Sequence, residues 1–262
     1  MNDALTLVII GAASVAAFML VLWLIHLRTG NAAIVDAGWG SGLAVLGILY
    51  AALGGGYWLR SAILAAMTGI WGLRLSLYLL STRIIGHPEE GRYQELRRKW
   101  KTNIPFKFLL FFEFQALLCV ILSVPFLAAA RNTRPGISPL EWAAVVLWTL
   151  AIAGEAAADA QLSKFKSDPS NKGHSCQVGL WRYSRHPNYF FEWLIWVSYA
   201  LFALASPGGY WGLLSPALIL YFLLRVTGIP ATEAQAIRSR GDEYRRYQKS
   251  TSAFVPWFPR KT

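Results

Sequence analysis

Between Gly179 and Glu192 the chain sets Arg182, Arg185, His186, Asn188 and Glu192 among Tyr183 and Tyr189, at the start of a long apolar run. Guanidinium and imidazole groups bind phosphate and carboxylate, an amide both donates and accepts, and a carboxylate accepts from amines. Charge at a membrane boundary is costly unless it is paired or holds a ligand, so this cluster marks a binding site.

Further polar residues lie inside the apolar runs. Trp71, Arg74, Tyr78 and Ser81 recur at three- or four-residue steps, and so do Glu155, Asp159, Leu162 and Lys166. Each set falls on one helix face. Asp36 opens another run and Arg225 closes the last. Any one of these reads equally well as an internal salt bridge. Several helices each turning a polar group inward imply an enclosed polar cavity, because lipid does not tolerate such groups.

The elements that position these residues follow from composition. Of 262 residues, 55% are hydrophobic and 15% charged, well below the charged share of a soluble domain. Seven apolar runs are long enough to cross a bilayer, at about 4–27, 33–53, 57–80, 107–130, 139–162, 189–206 and 209–228. The expected fold is all-α, a single polytopic membrane domain over 1–262. The first run is long and has no basic residue before it, which reads as an anchor rather than a cleaved leader. Lysines and arginines crowd 81–107, 163–188 and the tail after 229, while only Arg60, Arg131 and Arg134 fall in the opposite loops. This bias puts the N-terminus outside and the C-terminus in the cytosol. The stretch 89–100, acidic first and basic last, suits a short amphipathic helix along the cytosolic interface.

A net charge of +11 reads as topology and contact with anionic lipid rather than nucleic-acid binding. The excess also suits a phosphate-bearing ligand. Cys119 and Cys176 are not expected to pair, and the four histidines lack metal-ligand spacing. Neither a Gly-x-Gly-x-x-Gly nor a P-loop pattern occurs, so helices and basic loops must build any nucleotide site.

The residues then match a known pattern. Gly179-Leu180-Trp181-x-Tyr183-Ser184-Arg185-His186-Pro187-Asn188-Tyr189-x-x-Glu192 follows Glu155-x-x-x-Asp159 and Phe165-Lys166, and precedes Asp242-Glu243-Tyr244-x-x-Tyr247 and Phe254-Val255-Pro256. In these stretches the chain resembles the steroid 5-alpha-reductase superfamily, in particular its bacterial branch. The likeness covers the C-terminal half, from about 139, and reaches the other half through Arg74-x-x-x-Tyr78-x-x-x-x-Arg83. It implies an integral membrane enzyme of the bacterial cytoplasmic membrane. Such an enzyme uses NADPH to reduce the carbon–carbon double bond of a lipophilic enone, typically a 4-ene-3-keto steroid, entering from the bilayer. Membrane methyltransferases of the isoprenylcysteine and phospholipid types, which bind S-adenosylmethionine, share the Arg-His-Pro-x-Tyr core. Glu192, the Arg74–Tyr78–Arg83 face and the seven runs favour the reductase.

The resemblance also implies roles. Arg74, Arg83, Lys166 and Arg185 are candidate phosphate ligands, with Tyr78 and Tyr183 as neutral donors. Asn188 and Glu192 suit the nicotinamide amide; Glu155, Asp159, His186, Tyr189, Arg225 and Glu233 complete the cofactor shell. Hydride attack on an enone places charge on the ketone oxygen, and a donor aimed there stabilises the enolate. The expected catalytic group is Asp36, Trp71 and Tyr78. Trp71 stands where the reductases have a tyrosine and can only donate. Asp36 has to carry its proton to donate.

Overall fold

Long apolar runs interrupted by glycine, proline and polar caps become helices whose ends sit at those interruptions. A computed structural model describes residues 3–260 and contains no strand among them; Ser184 and Ser252 form one isolated parallel bridge. The helices are α1 (Ala4–Thr29), α2 (Ile34–Leu53), α3 (Trp58–Leu79), α4 (Gly91–Trp100), α5 (Ile104–Leu122), α6 (Val124–Ala130), α7 (Pro139–Ser167), α8 (Pro187–Leu204), α9 (Leu214–Tyr221), α10 (Ile229–Arg240) and α11 (Asp242–Ser250). Single π-helical turns extend α3 over Leu80–Ile84 and α9 over Phe222–Val226.

Six helical segments among the described residues are long and apolar enough to cross a membrane: Ala4–Thr29, Ile34–Leu53, Trp58–Ile84, Ile104–Leu122, Pro139–Ser167 and Gly209–Arg240. The remaining expected run, 189–206, coincides with α8. That helix has 18 residues, but Asn188 and Glu192 in its first turns make it less apolar than the other six. The expected run at 107–130 divides at Ser123, because Pro125 opens α6 and cannot continue the hydrogen-bond ladder of α5. By length and composition the chain is a multi-pass membrane protein. Leu20, Val21 and Leu24 of α1 and Ile70, Leu73 and Leu77 of α3 point outward, as a lipid-facing surface requires.

The chain forms two compact units, residues 1–141 with 202–212, and 142–201 with 213–262. In the first, α2 and α3 meet through small residues. A Cβ on Gly47 would lie 2.3 Å from Thr68 Oγ1, and one on Gly72 would lie 2.6 Å from the Gly40 carbonyl oxygen. Close backbone approach of this kind substitutes for a hydrophobic driving force between helices in lipid. Ser76 Oγ donates to the Ala37 carbonyl at 2.8 Å across the same seam.

At one end of this unit Ser138 and Glu141 form a capping box at the start of α7, with Ser138 N–H donating to Glu141 Oε2 at 2.7 Å. Glu141 also takes the Arg60 guanidinium, which donates to the carbonyls of Asn132, Arg134 and Gly136 at 2.8–2.9 Å. One buried cation thus gathers a whole loop.

At α4 the acidic-then-basic stretch is helical as expected. Glu89 receives Arg97 and the Ala32 N–H, while Tyr93 is buried against Phe108 and Phe111. The macrodipole pattern is therefore also a set of tertiary ties to the α1–α2 turn.

In the second unit Gly154 of α7 admits the Phe191 ring, and Trp148 Nε1 donates to the Tyr199 hydroxyl at 3.3 Å. These contacts seat α8 against α7. Cys119 and Cys176 are both free thiols.

Candidate functional site

The motif between α7 and α8 is a folded loop held from several sides. Gly179 has φ +57°, and a Cβ there would meet Gln161 Oε1 at 2.5 Å. That closeness lets Gln161 accept from the Leu180 N–H at 2.8 Å. Trp181 Nε1 donates to the Ala158 carbonyl at 2.9 Å, tying the loop to α7. Tyr247 of α11 donates its hydroxyl to the Trp181 carbonyl. The tail closes over the loop: Arg185 N–H donates to Ser252 O at 2.8 Å, Ser184 Oγ to Phe254 O at 2.8 Å and Trp257 N–H to Tyr183 O at 2.9 Å.

Glu233 of α10 is the hub of the charged residues. Its Oε1 accepts from Arg185 Nε at 2.7 Å and lies 3.3 Å from His186 Nε2, while its Oε2 accepts from Gln248 Nε2 at 2.8 Å. Arg185 Nη1 also donates to the carbonyls of Gln248 and Thr251. His186 stacks on Tyr189, whose hydroxyl pairs with Thr232 Oγ1 at 3.2 Å. Arg185, His186, Tyr189 and Glu233 do converge as sequence reasoning expects, but they converge on one another. Burial, with the negative charge of Glu233 second, pushes the Tyr244 hydroxyl up to about 12. Burial pushes the Tyr247 hydroxyl higher still.

A second group lies along α7 and α8. Glu155 and Asp159, one turn apart, are 4% and 5% exposed, and Asn188 Nδ2 lies 3.5 Å from Asp159 Oδ1. Glu192, one turn beyond Asn188, accepts from Trp196 Nε1 at 2.9 Å. Tyr183 and Arg225 are exposed.

The third group is a pocket of about 310 Å³ at the end of α7. Lys166 and Phe165 of α7, the loop residues Asp168, Asn171, Lys172, Gly173, His174 and Cys176, and Arg240 of α10 line it. Asp168 is occupied by its own turn, accepting from the Ser170 N–H at 2.9 Å and Oγ at 2.7 Å, and these bonds hold its carboxyl below the usual range. Burial raises the Cys176 thiol. Lys166 was legible as a candidate from its place on the polar face of α7. Lys172, His174 and Arg240 were not, because isolated basic residues in loops look like orientation charges.

The remaining candidates belong to the first unit. Trp71 is fully buried and packs edge-on to Trp39 at 5.8 Å. Arg74 and Tyr78 follow on the same helix, partly buried, and Arg83, exposed on the π-turn, pairs with Glu90 at 3.1 Å. Asp36 lies in the first turn of α2, and its Oδ1 accepts from both Arg92 and the Tyr93 hydroxyl, the latter at 2.7 Å. Asp36 therefore acts as an acceptor, and donation to a ketone requires a proton on Oδ2. Burial drives the Tyr93 hydroxyl well above its ordinary value.

A family model described as "Protein of unknown function (DUF1295)" matches residues 22–251, from within α1 to the end of α11. The chain belongs to the DUF1295 family. It is 28% identical over 213 residues to an uncharacterised protein of Schizosaccharomyces pombe, across 71% of this chain. It spans 62% of that relative's length. No solved structure matches the chain. The DUF1295 match takes in all three groups described above and both units.

Proposed function

We propose that this DUF1295 protein is a membrane reductase of the steroid 5-alpha-reductase type, using NADPH to saturate the carbon–carbon double bond of a lipophilic enone. Seven spans are proposed, α8 joining the six longer or more apolar helical segments, with the N-terminus outside and the C-terminus in the cytosol of a bacterial cell membrane. The observation that carries the reading is the buried pair Glu155 and Asp159 with the half-buried Asn188 and, one turn on, Glu192, inside otherwise apolar helices. Carboxylates and an amide on facing turns of two helices offer acceptors and donors that suit the carboxamide of a nicotinamide ring.

These residues fit NADPH in chemistry. Asn188 and Glu192 offer an acceptor–donor set for the nicotinamide carboxamide, and the cations at the end of α7 suit phosphate. Arg185 fits less directly, since Glu233 and two carbonyls hold its guanidinium. Its part is to hold the motif loop against the tail. NADPH, when bound, supplies the hydride. The chain's own contribution is to exclude water, orient the enone and stabilise charge on its oxygen through a donor from Trp71 or Tyr78, while Asp36 accepts from Arg92 and Tyr93.

The test is binding followed by turnover in detergent. Thermal-shift titration is expected to show stabilisation by NADPH and none by S-adenosylmethionine. NADPH absorbance should then fall on addition of a 4-ene-3-keto steroid or another lipophilic enone. Stabilisation by S-adenosylmethionine instead assigns a methyltransferase. Absence of both effects, with no turnover across an enone panel, rejects the reductase.

A further inference from the structure

The tail after α11 carries large apolar side chains in the open. Val255, Trp257 and Phe258 are 52%, 69% and 76% exposed, yet they lie outside the helical segments long and apolar enough to cross a membrane. Lipid around a span does not account for them, and a contiguous apolar patch of this kind marks a surface that meets something other than water. The tail is also fixed. Its backbone bonds to the motif loop at Ser252 and Trp257, and Arg260 N–H closes it on Ser250 O at 2.8 Å. Phe258 stands edge-on to the exposed Tyr183 at 6.0 Å. The rings are thus held outward by hydrogen bonds already made.

Phe254 sets the depth of this patch. Its ring meets Phe190 at 5.7 Å and Trp193 at 5.9 Å, both near the start of α8 at Pro187. At about 1.5 Å per residue those two rings lie roughly 4–9 Å along the helix from its first residue. With α8 crossing the bilayer, the tail lies where hydrocarbon gives way to headgroups, the level at which Trp and Tyr are favoured.

The charge around the patch favours an anionic partner. Residues 242–260 carry Arg245, Arg246, Lys249 and Arg260 against Asp242 and Glu243, and Arg182 adds a further cation from the motif loop. Asp242 pairs with Arg245 at 2.7 Å and Glu243 holds Ser175 at 2.6 Å, so both carboxylates are turned to other residues. Arg182 and Arg260 flank the aromatic rings and are exposed. Adjacent residues at the end of α11 fix their backbones, Ser250 O accepting from Arg260 N–H and Thr251 Oγ1 lying 3.5 Å from Arg182 O. Rings that enter the acyl boundary, flanked by guanidinium groups that meet phosphate, are the chemistry of an interfacial lipid contact.

We infer that Arg182, Tyr183, Val255, Trp257, Phe258 and Arg260 form a docking surface for anionic phospholipid headgroups, and that docking holds the tail closed over the motif loop. The inference goes beyond the reductase reading: it rests on α8 crossing the bilayer and is independent of the cofactor.

The test places a nitroxide at Phe258→Cys in the full-length protein, in nanodiscs of phosphatidylcholine alone or mixed with phosphatidylglycerol. Cys119 and Cys176 are buried, and the unsubstituted chain sets the labelling background. Collision of the label with a water-soluble nickel complex is expected to fall about threefold in the anionic discs. Arg182→Gln combined with Arg260→Gln is expected to remove that difference. Deuterium exchange of the unsubstituted chain reads the same event without a label: segment 252–258 should exchange about threefold more slowly in the anionic discs. A label at Val197→Cys on α8 should lie in hydrocarbon in both discs. If it meets water instead, the span and this surface both fall, whatever the result with NADPH. Equal collision and equal exchange in the two discs, or protection that survives loss of both arginines, overturns the surface and leaves the reductase untouched. Dipolar broadening between labels on two chains overturns it in favour of a contact between copies.

Discussion

Arg185 Nε lies 2.7 Å from Glu233 Oε1, with the two side chains only 9% and 15% exposed. The ion pair joins the motif loop to α10, and the same guanidinium holds the Gln248 and Thr251 carbonyls at the end of α11. The buried arginine of the motif is therefore a structural clasp for the C-terminal region.

Breaking that clasp from one side strands a mostly buried charge. Arg185→Ala is expected to destabilise the protein by about 3–5 kcal/mol. Glu233→Gln, which keeps an acceptor for Arg185 and a partner for Gln248, should be milder. Denaturation followed by tryptophan fluorescence in detergent measures both. Equal losses would mean that charge, rather than hydrogen-bond count, holds the clasp.

On the other unit, Arg60 and Glu141 make the opposite asymmetry. Arg60 serves Glu141 and three loop carbonyls, whereas Glu141 serves Arg60 and the Ser138 cap. Arg60→Met leaves a buried carboxylate and strips the donor from the Arg134 and Gly136 carbonyls, while Asn132 O keeps the Tyr57 N–H, so its cost should exceed that of Glu141→Gln by about 1–3 kcal/mol. The same unfolding measurement decides the order.

The α2–α3 seam gives a steric prediction. Gly72→Ala drives a Cβ against the Gly40 carbonyl oxygen, where backbone cannot yield, and is expected to cost about 1–3 kcal/mol. Gly69→Ala on the same helix meets only Ile48 at 3.5 Å and should be neutral, or stabilising by up to about 1 kcal/mol through helix propensity. A melting temperature that falls equally for both rejects the seam.

Tyr244 makes alkaline stability a signature of the folded tail. Its hydroxyl, raised from 10.0 to about 12 by burial, stays protonated in the folded chain at pH values where the unfolded chain ionises. The stabilisation is complete below pH about 10 and is lost as pH rises through about 12. Tyr244→Phe should flatten this part of the pH profile. An unchanged profile would place the alkaline transition on other tyrosines.

Within the proposed function, Glu192 and Asn188 carry the ring end of the cofactor. Glu192→Ala is expected to weaken NADPH binding about 10–100-fold, the worth of one hydrogen bond to a charged group. Thermal-shift titration reads it directly. Wild-type affinity in Glu192→Ala would remove this residue from the site.

How much of this was legible in the chain depends on range. The apolar runs and the helical register of Glu155 with Asp159 are local properties; the break at Pro125 is local too, although the run 107–130 reads as continuous by hydropathy. They follow from a 3.6-residue period and from what proline cannot donate, so sequence alone determined an all-helical, multi-pass protein with polar residues on defined faces. The motif announced that its charged residues mattered. It did not say to what they bind.

That second question belongs to tertiary structure. Arg185 finds Glu233 rather than solvent or a ligand because α10 and α11 fold back over the loop, and Asp36 finds Tyr93 because α4 packs beside α2. Lys166, Lys172 and Arg240 become one cationic wall only once a loop turn and two helix ends share a cavity. A hydrogen bond is decided by a few tenths of an ångström between groups far apart in the chain. Sequence periodicity ranks which residues turn inward, and only packing chooses their partners.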